Sequence, residues 1–167
     1  MSFIPENKQI ITISKVREMS PLVLAYIGDA VHSLYAREKY ALSTTYKPNK
    51  LHILVSNEVK AKAQAQKIES ILEKLTQEEK DIFMRARNTH VNSIAKNASK
   101  GEYLEATGFE AVIGYLYLTG QQDRLEELLS DEQNWRKVFK TSRKNFSFFT
   151  TWQRVERFDK SVRNYHG

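Results

Sequence analysis

Leu24-Ala-Tyr-Ile-Gly-Asp-Ala-Val31 and Gly108-Phe-Glu-Ala-Val-Ile-Gly-Tyr-Leu-Tyr-Leu118 are apolar stretches, each interrupted by one acid. Their apolar residues recur at helical rather than alternating spacing, so both read as helices buried in one core. A buried carboxylate is costly unless something compensates its charge. Asp29 and Glu110 can therefore meet at a metal, although an internal hydrogen bond or ion pair would satisfy each of them as well.

Outward from these stretches the chain has three prolines and six glycines, and it reads as all-α. Ser20-Pro21 is a helix start, with serine at the N-cap and proline in the first turn. That helix is expected from Pro21 to about Tyr40. Val23, Leu24, Ile27, Val31 and Leu34 share one side of it, and Leu22, Tyr26, Asp29 and Ser33 the other. Apolar residues on both sides predict a helix packed all round.

Beyond the loop through Ser43 to Pro48, a second helix is expected from about Asn49 to Leu75, with its later part, Asn57 to Gln66, facing solvent. Thr76-Gln-Glu-Glu79 has the pattern of a capping box and opens a short helix toward Arg87. Asn88 to Lys100 reads as an exposed polar loop. The helix carrying Glu110 is expected from about Tyr103 to Leu118, with a stop near Gly120 and a last core helix from Gln121 to Leu129.

Around Glu110 the residues Ala106, Thr107 and Gly114 are small, and Gly28 stands beside Asp29. A glycine inside a helix costs about 1 kcal/mol against alanine, so the pattern favours two helices crossing closely at their carboxylates. Magnesium takes octahedral oxygen coordination and often uses one or two protein carboxylates, with water and phosphate completing its shell. A cation held there would acidify a water and neutralise the leaving oxygen of a phosphodiester.

Composition narrows the partners. The chain has 167 residues and a net charge of +6, enough for one domain with a core. From Asp131 onward nine basic residues face four acidic ones, interleaved with aromatics that include Trp135, Phe139, Trp152 and Tyr165. Cations beside flat rings suit phosphates and exposed bases, though a small amphipathic helix docked on the body would also show this pattern. With no cysteine, disulfides and thiolate zinc sites are excluded, and the four histidines show no ligand spacing. His32 reads as a core or interface residue. No apolar run is long enough to span a bilayer, and the first residues lack a secretory pattern, so a cytosolic protein without a membrane partner is expected.

Five motifs in order, Leu24 to Val31, Tyr46-Lys-Pro-Asn-Lys-Leu-His52, Val59-Lys-Ala-Lys-Ala-Gln-Ala65, Arg85-Ala-Arg-Asn88 and Thr107 to Leu118, resemble the mini-ribonuclease III family. The resemblance covers about Pro21 to Leu129. It implies an all-helical ribonuclease III catalytic domain without a double-stranded-RNA-binding domain, in a homodimeric, Mg²⁺-dependent endoribonuclease that trims precursor large-subunit ribosomal RNA. By motif, Asp29 and Glu110 are the implied catalytic and metal-holding acids. Ordinary ribonuclease III has two further acids, where this chain has Ala25 and Thr107. A single ion completed by water and RNA is therefore expected rather than a two-metal cage.

Three segments are expected: 1–20, a catalytic domain over 21–130, and a basic aromatic extension over 131–167. The extension is open to three roles: an RNA grip, a dimer strap or a contact with a ribosomal protein. Recognition of double-stranded RNA by shape makes Lys60, Lys62, Gln64, Arg85, Arg87, Asn88, Lys96 and Lys100 the candidate contacts. The alternative to an enzyme is a noncatalytic RNA-binding or ribosome-associated homologue of the same fold.

Overall fold

The computed structural model describes residues 10–90 and 99–130. The chain divides into two units after Leu129, and all of the described helices belong to the first. Lys96 and the basic aromatic extension lie outside the described residues.

Among the described residues seven α-helices run in order: α1 (Ile13–Glu18), α2 (Pro21–Ser43), α3 (Pro48–Val59), α4 (Ala61–Ile71), α5 (Gln77–Arg87), α6 (Lys100–Leu118) and α7 (Gln122–Leu129). A 3₁₀ turn, Leu72–Lys74, joins α4 to α5. The all-α expectation holds, and no described helix is long and apolar enough to cross a membrane.

α6 is the central element, packed by α2, α4, α5 and α7. It is buried along most of its length because few of its residues are polar, and Phe109, Ala111, Val112, Ile113 and Leu116 are fully enclosed. It begins a turn earlier than the apolar pattern suggests, because Ser99 and Glu102 form a reciprocal capping box. Ser-x-x-Glu was legible there as the signal. The predicted box of Thr76 and Glu79 also forms, and it opens α5. α6 ends at Leu118, and Gly120 just beyond its cap has a φ of 70°, the left-handed conformation that glycine adopts without strain.

Three expectations need correction. The single helix over 49–75 is two helices broken at Lys60, which is extended (φ −67°, ψ 147°). No proline or glycine marks the break, and the turn lets α4 pack along α6. Gln64 Nε2 donates to the carbonyl of Val59 at 2.8 Å, satisfying a backbone group that the break frees.

Second, α2 is not packed all round. Leu24, Gly28, Val31, Tyr35 and Ala36 are buried, while Leu22, Val23, Tyr26 and Leu34 are exposed. Third, Ser20 occupies the N-cap position of α2, but its side chain makes no capping bond. The short α1 was not anticipated; its Val16 reaches the core, and Ile11 N–H donates to the Leu118 carbonyl at 2.9 Å.

Candidate active site at the crossing of two helices

α2 and α6 cross antiparallel, with Leu24 beside Gly114 and His32 beside Phe109. Gly28 and Gly114 make the approach possible. A β-carbon on Gly28 would stand 1.8 Å from the Glu110 carbonyl oxygen, and one on Gly114 would stand 2.1 Å from that of Leu24. Backbone thus lies on backbone, and the residue after Gly28, Asp29, is brought beside Glu110. Gly108 serves a different contact, with the Phe83 ring of α5 where its β-carbon would be.

Contrary to the sequence expectation, the two acids are not equally buried. Asp29 is exposed in the single chain, and Glu110 is partly buried. Burial, and secondarily the Asp29 charge, push the Glu110 carboxyl up to about 7, against an interaction with the Gln64 side chain that favours its charged form. The Asp29 charge is thus close enough to be felt at Glu110, an electrostatic situation that a divalent cation would relieve. Among the described residues no group of three or more His, Cys, Asp or Glu is placed to hold a metal. Two carboxylates fit a hard cation that takes its other ligands from water and phosphate.

The predicted RNA-contacting residues separate into groups. Lys60 is exposed at the start of α4, one turn before Gln64, with its ammonium on Asn57 Oδ1 at 3.3 Å. Lys62 is exposed; the Glu102 carboxyl is held low mainly by its hydrogen bonds with Ser99 and least by the Lys62 charge, which makes the first turns of α4 and α6 neighbours. Lys100 is exposed in that same turn of α6. Arg85, Arg87 and Asn88 end α5; Asn88 N–H donates to Met84 O, and the Arg85 guanidinium donates to the Met19 carbonyl at 3.2 Å. Gln64 leaves the surface set. It is 1% exposed, because the break at Lys60 turns this face of α4 onto α6.

Elsewhere in the described fold lie buried polar groups that the sequence did not reveal. Lys39 and Glu58 are 2% and 9% exposed and pair at 2.8 and 2.9 Å. Burial pushes the Glu58 carboxyl up, but the Lys39 ammonium and a hydrogen bond from Tyr40 outweigh it and hold it below the usual range. His32 is buried edge-on to Phe109, with ring centroids 5.8 Å apart, and neither ring nitrogen has a partner among the described residues. Burial, and then the Lys67 charge, lower it to about 4, so the ring is neutral within the core. The helical spacing of Lys39 marked its side of α2, but nothing local pointed to Glu58.

The ribonuclease III domain matches residues 22–121. The chain is 47% identical over 124 residues to "Mini-ribonuclease 3" of Thermoanaerobacter sp., covering 74% of this chain and 87% of that protein. It is 42% identical over 132 residues to "Mini-ribonuclease 3" of Enterococcus faecalis, covering 77% and 97%. A crystal structure of a Fusobacterium nucleatum protein superposes with a TM-score of 0.64 at 32% identity, covering 76% of this chain and 97% of that one. Ribonuclease III enzymes are generally metal-dependent and act on double-stranded RNA. Together with the helical fold around α6, these likenesses place the chain in the ribonuclease III family, among the mini-ribonuclease III proteins, and it is an endoribonuclease of that type.

Proposed function

We propose that this protein is a Mg²⁺-dependent endoribonuclease that cleaves double-stranded RNA as a homodimer, with precursor large-subunit ribosomal RNA as its substrate. The observation that carries the reading is the convergence of Asp29 and Glu110 at the α2–α6 crossing, where the Asp29 charge is felt at Glu110. The ribosomal target rests on the family resemblance and not on a feature of the site.

Asp29 and Glu110 would hold the cation, which when bound supplies Lewis-acid activation and charge neutralisation at a phosphodiester. Glu110 must lose its proton to serve, and burial beside Asp29 makes that loss harder in the metal-free protein. Lys60, Lys62 and Lys100 are exposed at the N-terminal ends of α4 and α6 and would gather phosphates; Arg85, Arg87 and Asn88 would extend the contact along the duplex. Lys96 and the extension over 131–167 would add cations to the same polyanion.

The dimer is supported by the exposed face of α2. Leu22, Val23, Tyr26 and Leu34 stay uncovered in the single chain, Tyr26 at 78% exposure. Beside them a shallow apolar groove of about 280 Å³ is lined by Tyr26, Ile27, Ala30, Val31, Leu34 and Tyr117. A contiguous apolar patch of this kind is the usual mark of an interface, and a two-fold dimer would use the same patch on both copies.

Incubating the protein with double-stranded RNA and with precursor ribosomal RNA, each with and without Mg²⁺, tests the reading. Metal-dependent cutting that maps to an end of the large-subunit RNA is expected. Binding without cutting by the parent protein would favour the noncatalytic homologue, and cutting of generic duplex only would remove the ribosomal target.

A further inference from the structure

Gln64 is buried where the first turn of α4 packs against α6. Its Nε2 donates to the Val59 carbonyl at 2.8 Å, and this bond fixes the orientation of the amide, because a carbonyl can accept only from the nitrogen end. Oε1 is then left buried without a donor among the described residues. Orphaned acceptors are uncommon in native proteins, and each calls for an explanation such as a water or an ion. The nitrogen end of the same amide is also the donor in its interaction with the Glu110 carboxylate, which can only accept, so Oε1 lies one amide width from that acid.

The neighbourhood is short of oxygen ligands. Ala25 and Thr107 stand where ordinary ribonuclease III has acids; both are buried, and the Thr107 hydroxyl donates back to the Tyr103 carbonyl at 2.9 Å. A neutral amide oxygen is a hard donor of the kind magnesium and manganese accept. It also adds no charge to a pair of carboxylates that already repel.

We propose that Gln64 is a third protein oxygen of the cation site, its Oε1 serving the ion beside Asp29 and Glu110, either directly or through the ion's hydration shell. The proposal rests on the reading of those two acids as a cation site. It also gives a reason for the break at Lys60, which turns Gln64 inward toward Glu110 instead of out to solvent.

The test is a Mn²⁺ titration of the full-length protein without RNA, followed by electron paramagnetic resonance of the free ion, with thermal denaturation alongside. Gln64→Met keeps the volume and removes the oxygen, Gln64→Glu keeps an oxygen and adds charge, and Glu110→Gln reports on the site itself. Gln64→Met is expected to weaken Mn²⁺ binding about tenfold or more and to shrink the metal-induced rise in melting temperature. Gln64→Glu is expected to bind at least as tightly as the parent. If Gln64→Met binds like the parent while Glu110→Gln loses the ion, Gln64 is only a cap for α3 and the proposal falls. If Glu110→Gln also binds like the parent, the cation reading itself falls and takes the proposal with it. Should Gln64→Met fail to fold, weaker Mn²⁺ binding by Gln64→Glu than by the parent overturns the proposal.

Discussion

Gly28 and Gly114 face each other across the α2–α6 crossing, with backbone where side chains would normally stand. Asp29 and Glu110 are brought together by that absence of side chains. The positions of the two acids therefore depend on residues that carry no chemistry themselves.

Gly28→Ala should accordingly be severe. Its β-carbon would overlap the Glu110 carbonyl, a rigid backbone group, so the helices must separate. A loss of at least about 3 kcal/mol, at the upper end of overpacking effects, is expected in denaturant unfolding. Mn²⁺ affinity should fall in whatever fraction still folds; parent-like stability would show that the helices can slide past one another at little cost.

Asp29→Asn and Glu110→Gln should each reduce RNA cleavage by more than about 100-fold, beyond what loss of a supporting residue costs a metal site. Binding of RNA, measured separately, should be retained, because the cationic side chains are untouched. Undiminished cutting by either variant would remove that acid from the machinery.

The stability of the metal-free protein should depend on Glu110 in a definite direction. Folded, Glu110 keeps its proton up to about pH 7, whereas the unfolded chain releases it near 4.5. The folded state thus binds more protons in this window, and stability falls as pH rises from 4.5 to 7. Glu110→Gln should remove that loss, stabilising the metal-free protein by roughly 2–3 kcal/mol at pH 8 and hardly at all at pH 4. Melting curves across this range would reveal a flat difference if the site were not strained.

His32 should act in the opposite sense. Its folded value of about 4 lies below the 6.5 of the free side chain, so the unfolded chain takes up the proton first and stability falls as pH drops from 6.5 toward 4. His32→Leu should abolish up to roughly 3 kcal/mol of this acid sensitivity. Between pH 4.5 and 6.5 the two groups oppose each other, and only the paired variants separate them.

Lys39→Met should cost about 3–5 kcal/mol by leaving Glu58 buried without its cation. Adding Glu58→Leu should recover much of that loss, since an apolar pair of similar volume removes the stranded charge. A double variant as unstable as the single one would mean that shape, not charge, is what the pair supplies.

Much of this architecture could be read from local residues. The apolar periodicity of α2 and α6, the Thr76–Glu79 box, the stop at Gly120 and the small residues around the two acids each act over one helical turn, so their consequences are contained in a few consecutive letters. What local residues could not decide was burial. The break at Lys60 has no punctuating proline or glycine, because what bends the chain there is the packing of α4 on α6, and Gln64 goes from an expected surface contact to a buried amide as a result. The exposure of Asp29 and of the Leu22, Val23, Tyr26 and Leu34 face, the Lys39–Glu58 pair and the burial of His32 have the same origin. Periodicity states which residues share a side of a helix, but only the arrangement of neighbouring helices decides which side meets another helix and which meets water.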